Sequence, residues 1–571
     1  MVFLFEKKVN AKNKIYTYIC LGHTKWVNGR SKRVWETILC RKDQMEESLL
    51  DIKQRLSREP PETEEFTFGL VYALFSIAKE LNLIELINEC TLKREQGFSV
   101  GEYITLLAIN RAVALDSKRQ IKKWFDKTAL SRSFPDISES LTVQNILNQM
   151  GYLDQDVIRR IEEMICKKLY SEFGLKSNCF LFDPTNFYTY IRDCKKNTIA
   201  QRGYNKKKRN DLRQVSMSLL VTRDESNVPI MHESYEGNVP DVSHFKQVLN
   251  LMEQRFKAIG LELPEVTLVF DKGNNSEDAY KFLDGKGIHF VSSIRPSMNL
   301  SKPVLDVPLS DYDELWTKKN GRKVFGYRTK TSAYFGKGTQ NTLIATFDED
   351  TFALQEHKFD ENLHKVILRL ENFAKYQLNT KPQWKDPKKV VDKINRDILK
   401  PKKFRALLDI SVEKKPTSSE LDLTWKLDET ARKENLKNFG KALIFSNRKE
   451  WSTLEIVKTY RAQIDVEEQF KELNKKERIS VMPMYVWTDE MIRTHVFISV
   501  LALLLSNLLY RKIQLAGIAD SKDKCLEALE DIKEIRLYYD HKDPPEVLLT
   551  RMSTLQRKLF KILDLKQYSG K

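Results

Sequence analysis

The sequence predicts a multidomain α/β protein, and three observations carry that expectation. At 571 residues with 41% hydrophobic content, the chain exceeds one ordinary domain and holds enough apolar material for several cores. NCFLFD and EVTLVFD are short unbroken apolar runs, as strands buried on both faces require. Around them, segments with helical periodicity alternate with further strand-like runs, the rhythm of a mixed α/β core.

From the N-terminus, residues 1–60 hold β-like runs around the turn signal Asn28-Gly29, predicting a β-hairpin module. REPPETEE at 58–65 reads as a linker. Residues 66–173 are predicted helical, with a capping box at Ser99 and Glu102, a basic helix KRQIKKWF and an amphipathic helix DQDVIRRIEEMICKKLY. Several short helices, one strongly basic, suit a DNA-binding region. The core is predicted over 178–296 as three strands, helix, strand, helix, strand. An insertion is expected over 297–440, and it contains a stretch, 381–405, with ten basic and three acidic residues. The core resumes over 441–515 with the strand KALIFS and two helices, near 453–476 and 489–513, and a C-terminal helical region fills 516–571.

Charge and cysteines narrow the function. The net charge of +17 calls for a polyanionic partner, because each phosphate neutralised releases condensed counterions. Seven scattered cysteines without a Cys-x-x-Cys pair predict reduced thiols in a cytoplasmic protein and argue against zinc. The longest apolar stretch, 496–510, is shorter than a bilayer span and reads as a buried core helix, so no membrane partner is expected.

The chemistry is concentrated in carboxylates. Asp183 and Asp271 each close one of the two buried strand runs, where Asp also serves as a turn former. Neighbouring strand ends bring such side chains together. Two adjacent carboxylates repel unless cations lie between them, and hard oxygen donors suit Mg²⁺. A pair of such ions can activate a water and stabilise the leaving oxygen of a phosphodiester. A third acid is offered by the helix LEIVKTYRAQIDVEEQFKELNKKERI. If it runs unbroken, Tyr460, Gln463, Glu467 and Asn474 share one face within an arc of about 60°, while Glu468 and Asp465 point elsewhere. Arg192 to Arg213 holds nine basic and two acidic residues, making Lys206, Lys207, Lys208, Arg209 and Arg213 candidate phosphate contacts.

LFDPTNFY, LVFDKG and TYRAQIDVEEQFKELN resemble the three acidic motifs of DDE-class transposases of bacterial insertion sequences, in the IS-four-like group whose members carry a large insertion domain. Tyr460 and Glu467 match the third motif, but Gln463 stands where Arg is usual and Asn474 where Lys is usual. The resemblance implies an RNase H-like catalytic core interrupted between Asp271 and Glu467 by a β-rich insertion domain. It also implies two Mg²⁺ ions, replaceable by Mn²⁺, held by Asp183, Asp271 and Glu467. The implied reaction is cut-and-paste DNA transposition by a homodimer on double-stranded transposon ends and target DNA, in a bacterial nucleoid. Tyr460, Gln463, Asn474, Lys471 and Lys475 are then the DNA contacts around the site, with the two lysines supplying the charge that Gln463 and Asn474 lack. A transposase-derived DNA-binding protein and a metal-dependent nuclease without strand transfer stay open as alternatives.

Overall fold

The computed structural model describes residues 2–11, 14–27, 30–45, 62–92, 97–191, 197–203, 209, 211–224, 226–295, 302–332, 340–400, 402–416, 418–475, 478–539 and 542–569. The chain begins with a three-stranded antiparallel sheet, β1 (Val2–Ala11), β2 (Lys14–Val27) and β3 (Arg30–Arg41), where the sequence suggested one hairpin. The turn Asn28-Gly29 and the first half of the expected linker lie outside the described residues. The second half of that linker is not a linker: Glu62–Thr67 forms β4. Helices α1 (Gly69–Glu80), α2 (Leu83–Cys90), α3 (Val100–Val113), α4 (Ile121–Asp126), α5 (Val143–Met150) and α6 (Gln155–Ser171) follow. Ser99 accepts from the Glu102 backbone N–H while the Glu102 carboxylate accepts from Ser99, so α3 starts at the capping box.

The rest of the protein is organised around β5 (Cys179–Thr189), β6 (Arg213–Thr222), β7 (Pro229–Glu236), α7 (Asp241–Ala258), β8 (Thr267–Phe270), α8 (Glu277–Gly285) and β9 (His289–Ser293). Then come β10 (Asp313–Thr317), β11 (Lys323–Thr331) and β12 (Asn341–Asp348). A long excursion holds α9 (Glu349–Tyr376), α10 (Pro387–Lys393), β13 (Leu408–Lys414), β14 (Leu421–Leu427) and α11 (Glu429–Leu436). The chain returns through β15 (Lys441–Ser446), α12 (Thr453–Arg461), α13 (Gln463–Glu472) and α14 (Asp489–Leu515), and closes with α15 (Lys522–Glu530), β16 (Lys533–Tyr539), β17 (Lys542–Leu549) and α16 (Thr554–Ile562).

One nine-stranded sheet organises this half, in the order β10-β11-β12-β15-β9-β8-β5-β6-β7. β5, β8 and β9 are parallel neighbours, and β6 runs antiparallel beside β5. The unbroken apolar character of β5 and β8 follows from cover on both faces. Leu181, Val269 and Val291 point to the face under the helical core, while Phe180, Phe182, Phe270 and Phe290 point to the opposite face, under α7 and α8.

Here the structure corrects the expected insertion. The strands at 313–348 are not part of it, because β12 pairs with β15 and β11 with β12, extending the main sheet. What is inserted between β12 and β15 is largely helical, with β13 and β14 as its one two-stranded sheet among the described residues, and it has its own core from Phe359 to Leu436. The runs LLDISVE and LDLTWKLDE form the two strands of this hairpin, but the β-rich insertion that the resemblance implied is instead mainly helical, since α9 alone takes 28 residues.

α14 is the axis of the other half. It is long and apolar enough to cross a membrane by length and composition, yet 94% of its most apolar window is buried inside the protein. α1, α3, α5 and α6 pack around it together with β7. The helices of 66–173 therefore share one core with the C-terminal helix, where a separate region was expected. The C-terminal region is also not wholly helical, because β17, β16 and β4 form a three-stranded sheet in that order. The six described cysteines are all free thiols.

Candidate active site

The register of the parallel strands places the first two acids. Phe182 lies opposite Phe270, and Phe270 opposite Ser292, so Asp183, Asp271 and Ser293 come level one step further along. Side chains alternate along a strand, so these three point to the same face as Leu181, Val269 and Val291. Asp271 leaves the end of β8, but Asp183 is not at a strand end: β5 continues to Thr189, pairing Asp183 with Leu219 of β6. It marks the point where β8 ends beside it.

Asp271 is held from two sides. The Ser293 hydroxyl donates to its Oδ1 at 2.7 Å, and the Tyr460 hydroxyl donates to the same oxygen at 3.1 Å. Ser293 also accepts from the Lys272 backbone N–H at 3.1 Å, which pins the turn after Asp271. Burial, the Asp271 charge and, more weakly, that of Glu467 push the Tyr460 phenol well above its ordinary pKa and keep it a donor. Tyr460 thus orients Asp271 rather than standing free as a DNA contact. Ser293 was missed by sequence reasoning; its signal is its place at the end of the strand beside β8, level with the acid.

Glu467 lies exposed on α13, which crosses this face. The expected single helix is divided at Ala462, which ends α12 and precedes α13, so a helical wheel drawn from Tyr460 does not carry through to Glu467. Gln463 is only 7% exposed and its amide donates to the Phe182 carbonyl at 2.7 Å. This corrects its expected DNA contact: it fastens α13 to the strand of Asp183. Further along, Gln469 accepts from Asn507 of α14 at 2.9 Å, and Lys522 donates to Asn507 at 2.7 Å. Two buried glutamines therefore mount the helix on either side of Glu467. Arg461 pairs with Asp348 at 2.7 Å and fixes α12 to the end of β12.

The remaining candidates sort by what they touch. Lys471 is exposed one turn beyond Glu467 and has no ion-pair partner among the described residues. Lys475 does not point to the site: it pairs with Glu472 at 2.6 Å and Asp523 at 3.5 Å. Asn474 is exposed, and its amide donates to the Phe470 carbonyl at 2.8 Å. Arg209 is exposed and paired with Asp211, and Arg213 donates to the Ala200 carbonyl at 2.8 Å. Lys206, Lys207 and Lys208 lie outside the described residues.

The donor chemistry fits hard divalent cations: two carboxylates side by side, with a third on the helix above. Among the described residues, no three acidic, His or Cys side chains stand close enough to enclose an ion, so the triad is not closed into a cage in this structure.

No curated protein matches the chain. A solved structure described as the cryo-EM structure of piggyBac transposase synaptic complex with hairpin DNA is 10% identical, covering 80% of this chain and 79% of that one, with a TM-score of 0.37. The family model for the transposase DDE domain matches residues 175–505, which contain Asp183, Asp271, Ser293, Tyr460, Gln463 and Glu467. With that match over more than half its length, the chain belongs to the DDE-domain transposase family.

Proposed function

We propose that this transposase performs cut-and-paste transposition, cutting at transposon ends and joining the freed 3′-OH to target DNA, with Asp183, Asp271 and Glu467 holding two Mg²⁺ ions. The observation that carries this reading is the shared face: Asp183 and Asp271 stand level on adjacent parallel strands, beneath the helix that bears Glu467. When bound, the ions activate the attacking oxygen and stabilise the leaving one. The chain's own residues do the positioning. Ser293 and Tyr460 hold one Asp271 oxygen through hydrogen bonds and leave the other for a cation. Gln463 keeps α13 at the height of Asp183. Lys471, on the exposed side of α13, is the phosphate clamp, with Arg209, Arg213 and the 206–208 lysines along the DNA track.

β5, β8 and β9 parallel, with β6 and β7 antiparallel on one side, support an RNase H-like core. Membership of the IS-four-like group, with its insertion between Asp271 and Glu467, is part of the same reading, as are a homodimer on two ends, end recognition by 66–173 and a cytoplasmic, nucleoid-associated location. Replacing Asp183, Asp271 or Glu467 by Ala is expected to abolish cleavage while end binding persists, with Mn²⁺ supporting cutting and Ca²⁺ only assembly. Full cleavage by Asp271→Ala overturns the triad. A nuclease without strand transfer is recognised by failure to join pre-cleaved ends.

A further inference from the structure

Among the described residues, β1, β2 and β3 of the N-terminal sheet pack chiefly on one another and on the helical turn Lys42–Gln44 that follows them. A lone three-stranded sheet is marginal in water unless a face is covered. Its two faces differ. On one, Phe3, Phe5, Tyr16 and Tyr18 are partly covered by the sheet's own cations, with Arg33 4.1 Å from the Phe5 ring and Arg41 5.0 Å from that of Tyr16. The cations of that face are matched, since Lys7 and Arg33 pair with Glu36, and Arg41 with Asp43.

Both faces leave a large apolar side chain exposed, Trp26 at 78% on the first, and the second face is also open in charge. Leu4 is 63% and Trp35 45% exposed, and the strand register places Lys8, Lys25, Arg30 and Lys32 on the same side. Its carboxylate, Glu6, is paired with Lys42. Lys25 and Lys32 lie directly opposite each other across β2 and β3, a like-charge pair that destabilises the free sheet. Residues 2–45 carry ten Lys or Arg against three Asp or Glu.

We propose that this open face is a second DNA-contact surface, in which Lys25, Arg30 and Lys32 grip backbone phosphates of a duplex. It rests on the transposase reading only for the identity of the polyanion. A duplex supplies what the Lys25–Lys32 pair lacks, because phosphates between two ammonium groups turn their repulsion into attraction. Such contacts fix the register of a bound duplex and carry no sequence information, so they complement recognition elsewhere. β-ribbons are an established way of presenting side chains to DNA.

The test is binding of the full-length protein to a short duplex of scrambled sequence, in Ca²⁺ so that no chemistry intervenes, between about 50 and 200 mM KCl. Each lost phosphate contact lowers the salt slope by about 0.9, so Lys25→Gln/Lys32→Gln is expected to reduce it by about 1.8. The double variant should melt no lower than the parent, since it removes a repulsion. Lys358→Gln/Lys365→Gln, on α9, removes the same charge and is expected to leave the slope unchanged. An unchanged slope for the Lys25/Lys32 variant, or an equal fall for both variants, overturns the proposal. So does a Lys25→Gln/Lys32→Gln variant that loses self-association while its DNA slope stays intact, which would make the face a contact between copies. Failure of Asp271→Ala to stop cleavage would sink the catalytic reading and leave this binding result standing.

Discussion

Replacing Gln463 by Leu separates the mounting of the helix that bears Glu467 from the fold beneath it. The amide is 7% exposed and gives α13 its hydrogen bond to β5, 2.7 Å to the carbonyl next to Asp183. Leaving a buried carbonyl without that donor costs about 1–3 kcal/mol. Part is returned, because the Gln463 Oε1 is itself buried with no hydrogen-bond partner among the described residues, and Leu removes it. The net loss is therefore about 1 kcal/mol, small against the stability of a protein with two large apolar cores. Its effect on catalysis should be larger than that suggests. α13 is freed at the end nearest Asp183, and every 1.36 kcal/mol lost from the transition state is about tenfold in rate. The expected result is cleavage slowed by about tenfold or more, with the Mn²⁺ concentration for half-maximal cutting raised and the melting temperature lowered by only a few degrees. Gln463→Glu is a poor rescue, since a carboxylate cannot donate to the carbonyl. If Gln463→Leu lowers stability by the expected amount while rate and Mn²⁺ midpoint stay at parental values, the bond is a packing contact and does not position Glu467.

Ser293→Ala removes one of the two hydroxyls on Asp271 and is expected to slow cleavage several-fold, with the double variant Ser293→Ala/Tyr460→Phe losing more than either alone; single-turnover kinetics with a labelled end measures this, and parental rates would remove Ser293 from the site. Lys471→Ala should cut cleavage more than Asn474→Ala or Lys475→Ala, because only Lys471 is exposed without a partner among the described residues; equal activity of Lys471→Ala and parent refutes the clamp. Burial drives the His244 imidazole down to about 3, so it is neutral in the native state, while in the unfolded chain it binds a proton below about 6.5. The stability it contributes is complete above pH 6.5 and is lost as pH falls toward 3, with a slope approaching about 1.4 kcal/mol per pH unit. His244→Gln should flatten urea midpoints over that window, and an unchanged pH profile would show that the ring is not held neutral.

The legible parts of this protein are those where a local pattern and its tertiary setting agree. β5 and β8 read correctly because burial on both faces leaves only apolar residues between Cys179 and Phe182 and between Thr267 and Phe270. The α3 capping box is a contact between neighbours in sequence and was equally plain. What was hidden depends on partners distant in the chain. Glu62–Glu65 looks like a linker until β16 pairs with it, from more than four hundred residues away. Asn341–Asp348 looks like part of an insertion until β15 draws it into the main sheet. Gln463 read as a weakened DNA contact because family position was visible and burial was not. Ser293 carries no motif at all, since only the pairing of β8 with β9 places it beside Asp271. The helix angle between Tyr460 and Glu467 assumed an unbroken helix, and the division at Ala462 removed its basis.

The arrangement around α14 also governs how the chain must be made. α1 and α3 are apolar almost throughout, and the surface they bury is completed by a helix that begins at Asp489, 376 residues after α3 ends at Val113. At about 5–20 residues per second, that surface waits roughly 20 to 80 s on the ribosome before its partner is synthesised. During that interval the nascent N-terminal helices are clients for chaperones, and the central sheet can form ahead of them. Termination anywhere between β15 and α14 would release a product with an assembled sheet and an orphaned helical surface, poorly soluble and a ready substrate for proteolysis. Production of active protein is thereby tied to translation reaching the end of α14 at Leu515, 48 residues beyond Glu467.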